Sequence, residues 1–587
     1  MGQNAAGAVV SADVGAGAGV TDSSKMTETA NVELRSRLVY EPQELAFGTS
    51  GRRGEVVHLT QLEVYVNALA ELRYLQSLPA SEGGIVSADE FYFGYDLRPS
   101  SSRYVAEQQG RGELAQAIEW AIRDAGMQPV NLGRIPTPAV AHYAISRGRG
   151  SIMVTGSHIP FDRNGYKTYT AQGELLKQHE EPIGRAVSRV RTEIYSQPFD
   201  KSPFNELGLF KGGHRALPQE SNLARAEYME RYRRFFSGLS LGGQRILVYQ
   251  HSSVGRDILV EILDGLGAEA IPAGRIDTFV ALDTENVDEA MVAAVQVMAD
   301  EAAEKHGPIS GVVSLDGDAD RPLILGMDGK TGKLKFFGGD LVGMVVAEYL
   351  GADAVVVPIS CNDAIDRSGL ALLTEPKTRI GSPYVIAGME KARRAGRRAV
   401  CGWEANGGFL TGSDIEKNGK ILGTLATRDA VLPILAVLMA AQEKGLSLAA
   451  VFEQLPKRFS RAALLKKFPR RIALEIVKRV SPDDSSVQEV AFDGETRAGE
   501  METIRRRLGA FFTPRLGFGS ITKLNYTDGV RITFDTGDVA HVRPSGNADE
   551  FRIYAVADTQ ERADFMAQAA VAEPDGILRL MERAFAG

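Results

Sequence analysis

The sequence predicts an α/β chain of several domains, with three similar units built on βαβ repeats followed by a smaller α+β unit at the C-terminus. Three observations lead there. Short apolar runs alternate with amphipathic helical stretches in three successive segments, the pattern of parallel βαβ units. Each segment ends its last apolar run in an unusual polar loop: "TGSHIP", "LDGDADRP" or "GWEANGG". Beyond residue 510 the rhythm changes to alternating strands around a Thr-Gly-Asp turn, which reads as an antiparallel sheet packed on helices.

The elements follow in chain order. The Ala- and Gly-rich start has no basic leader and no sustained apolar core, so residues 1–37 read as a disordered tail, with Met26 a candidate start and folded sequence from about Leu38. The first segment runs "EFYFGYDLRP", a helical stretch "SSRYVAEQQGRGELAQAIEWAIRDAG", "PVNLG", a helix at "TPAVAHYAISRG" and the strand "SIMVTG". Residues 191–240 read as a connection. The second segment runs "QRILVYQ", "GRDILVEILDGLG", "EAIPAG", a helix over 285–305 and "GVVSLD". The third runs "DAVVVPIS", "NDAIDRSGL", "ALLTEP", the helix "SPYVIAGMEKARRAG" and "RAVCGWE", and the C-terminal unit adds "GVRITFDTGDVAHVRPSG", "EFRIYAVA" and a helical tail. The expected domains are 38–205, 206–338, 339–458 and 459–587.

Bulk properties narrow the function. A chain of 587 residues exceeds one core and suggests roughly three to five domains. A net charge of −8 argues against nucleic-acid or anionic-membrane binding, while leaving room for arginines that hold a small anion in a cleft. Two cysteines, Cys361 and Cys401, supply neither a disulfide framework nor a thiolate metal cluster and fit a reducing cytoplasm. No apolar run reaches the ~18 residues that span a bilayer.

The loops carry the chemistry. In open α/β sheets, ligands sit beyond the carboxyl ends of the strands, so three repeats delivering one loop each suggest a composite site. In "LDGDADRP", Asp316, Asp318 and Asp320 alternate just after a strand and can converge on one hard cation, for which magnesium suits oxygen-only ligation. An EF-hand does not fit, because its sixth position would be Arg321 and its twelfth Met327. "HVRPSGNADEFRIY" brings Arg543, Ser545, Gly546, Asn547 and Arg552 together as a phosphate clamp. "GWEANGG" offers Glu404 and Asn406 to sugar hydroxyls, and "FGTSGRRG" offers Arg52 and Arg53 as cations without the ending of a nucleotide-binding P-loop. Ser157 in "TGSHIPFDRNGYK" lacks the G-x-S-x-G setting of a hydrolase nucleophile, and His158, its sequence neighbour, reads as a poor dyad partner. A serine that carries phosphate needs a metal and a nearby cation, which the aspartates and Lys167 supply.

In this order the motifs resemble those of the α-D-phosphohexomutase superfamily. "FGTSGRRG", "GYDLRPSS" and "GRIPTPAV" are similar to its first-domain signatures, and "TGSHIPFDRNGYK" to its phosphoserine loop. "DGDADRP" resembles its metal loop D-G-D-G-D-R, "GWEANGG" its sugar loop G-E-x-S-G, and "RPSGNADEFRIY" its phosphate loop R-P-S-G-T-E-P. The resemblance spans about residues 45–557 and implies four domains around a central cleft. It implies a phosphorylated Ser157 whose phosphate shares magnesium with Asp316, Asp318 and Asp320. Arg53, His158, Lys167 and Arg321 would line the reacting phosphate, and Glu404 and Asn406 would face the sugar. Arg543, Ser545, Gly546, Asn547 and Arg552 would hold the other phosphate.

The implied reaction interconverts hexose 1-phosphate and hexose 6-phosphate, primed by hexose 1,6-bisphosphate, with mannose favoured over glucose or dual use. Hexose phosphates are then the partners, with no nucleic acid, membrane or obligate protein partner. The sequence departs from the family at Gly156 and Ile159, at Asn406 and Gly408 (usually Ser, often His), at Asn547–Glu550, and at Ser382, where some members place a histidine. A phosphatase acting through Asp316 and a non-catalytic sugar-phosphate sensor are the alternatives.

Overall fold

In the computed structural model of the chain, which describes residues 32–48, 51–285, 287–492, 499–546 and 549–585, the three segments fold on one topology. In the first, Glu90–Tyr95 lies parallel to Gln128–Arg134 and Ser151–Val154, and Arg163–Tyr169 returns antiparallel on Ser151–Val154. In the second, Arg245–His251 is parallel to Glu269–Arg275 and Gly311–Leu315, and Pro322–Met327 returns antiparallel on Gly311–Leu315. In the third, Ala354–Val356 is parallel to Val400–Trp403, on which Phe409–Thr411 returns. Its second strand is reduced to two isolated bridges, Val355 to Thr374 and Pro358 to Thr378. Each sheet gains an outer antiparallel strand: Arg52–Glu55, Leu334–Phe336 or Leu425–Asp429.

This repeat positions the site. In each unit the last parallel strand is buried along its whole length, so its sequence reads as a continuous apolar run. Such a strand cannot carry polar chemistry itself. The chain reverses immediately after it, and the reversals are the loops 155–162, 316–321 and 404–408.

The C-terminal sheet is antiparallel throughout, in the order Phe459–Lys466, Glu550–Ala557, Val539–Pro544, Val530–Phe534, Ile521–Asn525 and Glu489–Ala491. Val530–Phe534 alternates buried and half-buried residues, one face on a core shared with Arg470–Arg479, Glu500–Gly509, Gln560–Val571 and Ile577–Phe585. Buried Arg458 ties this sheet to the third unit, donating to Asp363 at 2.6 and 2.9 Å and to Asp558 at 2.7 Å. No helix among the described residues is long and apolar enough to cross a membrane.

Several expectations are corrected. Residues 34–37, expected within the tail, are ordered: Leu34–Arg37 is a helical turn with Leu34 buried, and Phe199 N donates to Val32 O at 2.8 Å. Residues 1–31 lie outside the described residues. The boundary expected after residue 205 cuts the first core, where the rings of Phe204 and Phe210 stack at 4.7 Å. The helix read over 101–126 is Leu114–Asp124, preceded by a hairpin of Tyr104–Val105 on Arg111–Gly112, because Gln109 and Glu113 adopt left-handed backbone. The helix read from 285 begins at Glu289, where the Asp288 side chain caps Met291 N at 2.8 Å. The connection 191–240 holds the helix Leu223–Phe235, whose Tyr228 and Tyr232 hydroxyls both donate to buried Asp429 of the third unit.

Candidate active site

The serine loop is built by residues from an earlier motif. Asp96 Oδ2 accepts from Thr155 Oγ1 at 2.8 Å and Gly156 N at 3.3 Å, and Thr155 Oγ1 in turn accepts from Ser157 N at 2.8 Å. Buried Arg98 donates to the carbonyls of Ser157, Ile159, Pro160 and Arg163 at 2.6–3.2 Å, with its guanidinium 3.8 Å over the Phe279 ring. A cation satisfying four turned-in carbonyls fixes a loop that has no ladder of its own. Ser157 sits at φ 52°, left-handed for a residue with a side chain, which is strain a scaffold has to hold. That backbone turn directs Ser157 Oγ to Asp316 Oδ2 at 2.7 Å. It also brings His158 Nδ1 to 3.3 Å from Ser157 Oγ, so the neighbours do meet, contrary to the sequence reading. Burial first, then the charges of Arg321 and Arg53, hold His158 well below the usual imidazole range, and it is neutral at pH 7.

The three aspartates converge as their spacing predicts. Asp316 Oδ1 accepts the backbone N–H groups of Asp320 and Arg321 at 3.0 and 3.2 Å. Asp318 Oδ2 accepts from Thr137 Oγ1 and from Lys167 Nζ at 2.8 Å. Asp320 Oδ2 accepts from Lys167 Nζ at 2.6 Å and from Arg428 Nη2 and Nε at 2.9 and 3.1 Å. Asp316 therefore accepts on both oxygens, and one oxygen each of Asp318 and Asp320 is pinned by protein donors. The second oxygens of Asp318 and Asp320 are buried and have no donor among the described residues.

The three carboxylates offer ligand atoms within 4.8 Å of one another, beside the serine hydroxyl. Bare buried carboxylate oxygens are costly unless a cation takes them, and an all-oxygen set suits a hard divalent ion. The residues present fit magnesium. Burial, then the like charges of Asp318 and Asp320, push the Asp316 carboxyl well up. Asp320 is held well down, because Arg428, Lys167 and Arg321 together outweigh its burial.

The remaining expected residues divide in two. Arg53, on the outer strand paired with Arg163–Tyr169, lies in the field of Asp318; burial lowers its pKa to about 10, which leaves it charged at pH 7. Arg52 points the other way, donating to buried Glu71 and stacking 4.0 Å over Phe47, and is structural. Arg321 lies 3.7 Å from Asp320 and 3.9 Å from Asp283. Glu404 Oε2 accepts from Arg428 Nη1 at 2.9 Å and from Asn406 Nδ2 at 3.2 Å. Asn406 Oδ1 accepts from Gly408 N at 2.9 Å, so this amide shapes its own loop.

In the C-terminal sheet, Arg543 faces Asp528 at 3.4 Å and Arg552 donates to Glu550 at 2.7 Å, while Ser545 N donates to Glu550 O at 2.9 Å beside Gly546. No ion pair among the described residues joins Arg543 or Arg552 to the first three loops. Asn547 lies outside the described residues.

Sequence reasoning missed four contributors. Arg428 carried a signal, a single arginine in "TLATRDAV" just before an apolar helix. Thr137 and Arg98 stood inside quoted motifs without a role. The strap 283–285 gave no signal: Thr284 Oγ1 donates to Asn406 O at 2.8 Å, and Glu285 feels Arg321 and Arg552. Burial, with Asp283 next, raises the Glu285 carboxyl to about 7.

The model of phosphoglucomutase/phosphomannomutase α/β/α domain I matches residues 44–193, and that of domain III matches 338–459. A phosphomannomutase of Sinorhizobium fredii is 35% identical over 523 residues, covering 89% of this chain and 96% of the relative. A phosphomannomutase of Salmonella muenchen is 34% identical over 519 residues, covering 88% and 93%. The fold is shared with the crystal structure of a phosphoglucomutase/phosphomannomutase family protein of Burkholderia thailandensis, with a TM-score of 0.60 at 17% identity, covering 92% of this chain and 97% of that one. Ordered motifs, repeated topology and a relative 35% identical over 89% of the chain agree, and the chain belongs to the phosphoglucomutase/phosphomannomutase family.

Proposed function

We propose that this protein is a phosphohexomutase acting on mannose phosphates, with Ser157 as the phosphoryl carrier. The observation that carries the reading is Ser157 Oγ at 2.7 Å from Asp316, beside two bare carboxylate oxygens, with Lys167 bridging Asp318 and Asp320. A magnesium ion held by Asp316, Asp318 and Asp320 would offset negative charge on the transferring group.

The chain's own residues do the rest. The phosphoryl group leaves Ser157 Oγ for a hexose hydroxyl: the bond from Oγ to phosphorus breaks as the new P–O bond forms, and the hydroxyl proton passes by way of neutral His158 to Ser157 Oγ. The hexose 1,6-bisphosphate reorients, and Ser157 Oγ takes back the other phosphoryl group. In that return step the bond from phosphorus to the sugar oxygen breaks, and the serine proton passes by way of neutral His158 to that sugar oxygen. Lys167, Arg53 and Arg321 hold the oxygens of the transferring group. Glu404 reads a sugar hydroxyl from the third unit. Arg543, Ser545, Gly546 and Asn547, with Arg552, grip the phosphate that is not reacting. We divide the chain into four units at about residues 210–223, 338 and 458, the fourth closing over the other three.

The test is a paired coupled assay with mannose 1-phosphate and glucose 1-phosphate, primed with hexose 1,6-bisphosphate, alongside intact-mass measurement. The proposal expects one phosphate on Ser157, faster turnover of the mannose ester, and no turnover or incorporation in Ser157→Ala. Turnover without phosphate on Ser157 would sink the carrier role. Free phosphate release that survives Ser157→Ala would point to hydrolysis through Asp316.

A further inference from the structure

Arg428 lies where two of the loops meet, and the function so far assigns it nothing. Its strand, Leu425–Asp429, is fixed on both sides of it. Thr427 Oγ1 donates to Glu174 at 2.7 Å, and Asp429 takes the hydroxyls of Tyr228 and Tyr232. The guanidinium is buried, and its fork is divided. Nε and Nη2 close on Asp320 Oδ2, while Nη1 closes on Glu404 Oε2. With Lys167 also on Asp320 Oδ2, the pinned oxygen of Asp320 is saturated and Oδ1 is the one left over. On Glu404 the same side chain and Asn406 occupy Oε2, and Oε1 takes part in neither bond.

Space for this side chain comes from Gly408. A Cβ built there would lie 2.4 Å from Arg428 Cδ, 2.7 Å from Cγ and 3.0 Å from Cβ. Those are atoms near the root of the side chain, which cannot swing away without moving the guanidinium.

We propose that Arg428 is a positioning residue that serves the metal-binding and sugar-reading loops at once, and that Gly408 is the glycine that admits it. This rests on the mutase reading for what Glu404 binds, and on the aspartate triad alone for the cation. One guanidinium shared by two carboxylates makes their occupancies interdependent. A divalent ion at Asp320 repels Arg428 toward Glu404, and a sugar drawn to Glu404 changes what Arg428 can give Asp320. Coupling of this kind is reciprocal.

Two measurements on the full-length protein test it: direct Mn2+ binding by calorimetry, with and without mannose 1-phosphate, and kcat and KM for the sugar phosphate. Removing a unit positive charge beside a divalent site tightens the ion by at least about tenfold, even at the dielectric of water. Arg428→Gln is therefore expected to bind Mn2+ more tightly and to lose the effect of sugar phosphate on that binding. Its KM is expected to rise on the order of 10–100-fold, the usual penalty for losing the group that orients a ligand-holding carboxylate. Arg428→Lys keeps the charge without the fork, leaving Mn2+ affinity near wild type with an intermediate KM. Gly408→Ala displaces the fork without removing charge and raises KM, but adds little in the Arg428→Gln background.

A purely structural role predicts the opposite sign, with weaker Mn2+ binding in every variant, and that result overturns the proposal. So does an unchanged KM in Arg428→Gln, or additive effects of the two substitutions. If Arg428→Gln does not fold, the KM and Mn2+ values of Arg428→Lys and Gly408→Ala decide. If the wild type interconverts no hexose phosphate, the mutase reading fails while the sign of the Mn2+ change still judges Arg428.

Discussion

Gly317 stands between the aspartates Asp316 and Asp318, and Gly317→Ala tests how the first two units are fitted together. A Cβ at this position would lie 2.6 Å from the carbonyl oxygen of Ser157 and 3.3 Å from the Phe279 ring. Ordinary contact begins at 3.4 Å, so the two loops have to part by about 0.8 Å. The obstacle is backbone, and that backbone is pinned by Arg98, which donates to the same carbonyl at 3.2 Å. Relief therefore comes at the cost of the 2.7 Å contact between Ser157 Oγ and Asp316. Overpacking of this kind typically destabilises by about 1–3 kcal/mol. A misplacement near 1 Å at a reacting centre slows the reaction on the order of 100-fold. The expected outcome is a folded enzyme with kcat down roughly 30–100-fold and little change in KM, because the Glu404 loop is untouched. The coupled mutase assay beside a thermal unfolding scan reads both effects. A Gly317→Ala enzyme within about twofold of wild-type kcat would refute the reasoning, since the loops would then have slack that the close approach denies.

Two further predictions concern the supports of the same site. Thr137→Val keeps the branched shape and deletes the hydroxyl on Asp318, so Mn2+ affinity should fall about tenfold with the fold intact, measured by calorimetry. His251 donates from Nε2 to Leu315 O at 2.7 Å, just before the metal loop, and burial holds its pKa at about 4 instead of 6.5. Between those values the native state binds fewer protons than the unfolded chain. Its contribution is therefore complete above pH 6.5 and is lost as pH falls toward 4, a swing of roughly 3 kcal/mol. Denaturant titrations at pH 7 and pH 4.5 should show a shallower acid loss in His251→Gln.

Particular residues show how far the sequence could be read. Asp316, Asp318 and Asp320 were legible because alternate positions in one turn meet without help from the rest of the chain, and they do converge. His158 was misread because the divergence of neighbours assumes ordinary backbone, and Ser157 is left-handed. Arg52 and Arg53 looked alike in "FGTSGRRG", but alternation along a strand sends them to opposite faces, one to Glu71 and the other toward Asp318. The helix expected from 285 began late because the Asp288 cap competed with the apolar periodicity.

By itself the sequence determined the repeat of three α/β units, the antiparallel C-terminal sheet and the polar loops that end the buried strands. Those features follow from hydrophobic period and local turn chemistry, which act over a few residues. Only the tertiary structure decided which oxygens of the aspartates are pinned, that Thr137 and Lys167 reach Asp318 from another unit, and that Arg428 joins Asp320 to Glu404. Those contacts span 24 to 181 residues of chain, and no local pattern encodes a partner at that separation. They exist because packing the sheets side by side brings three strand ends to one place, where Asp320 of the second unit meets Lys167 of the first and Arg428 of the third.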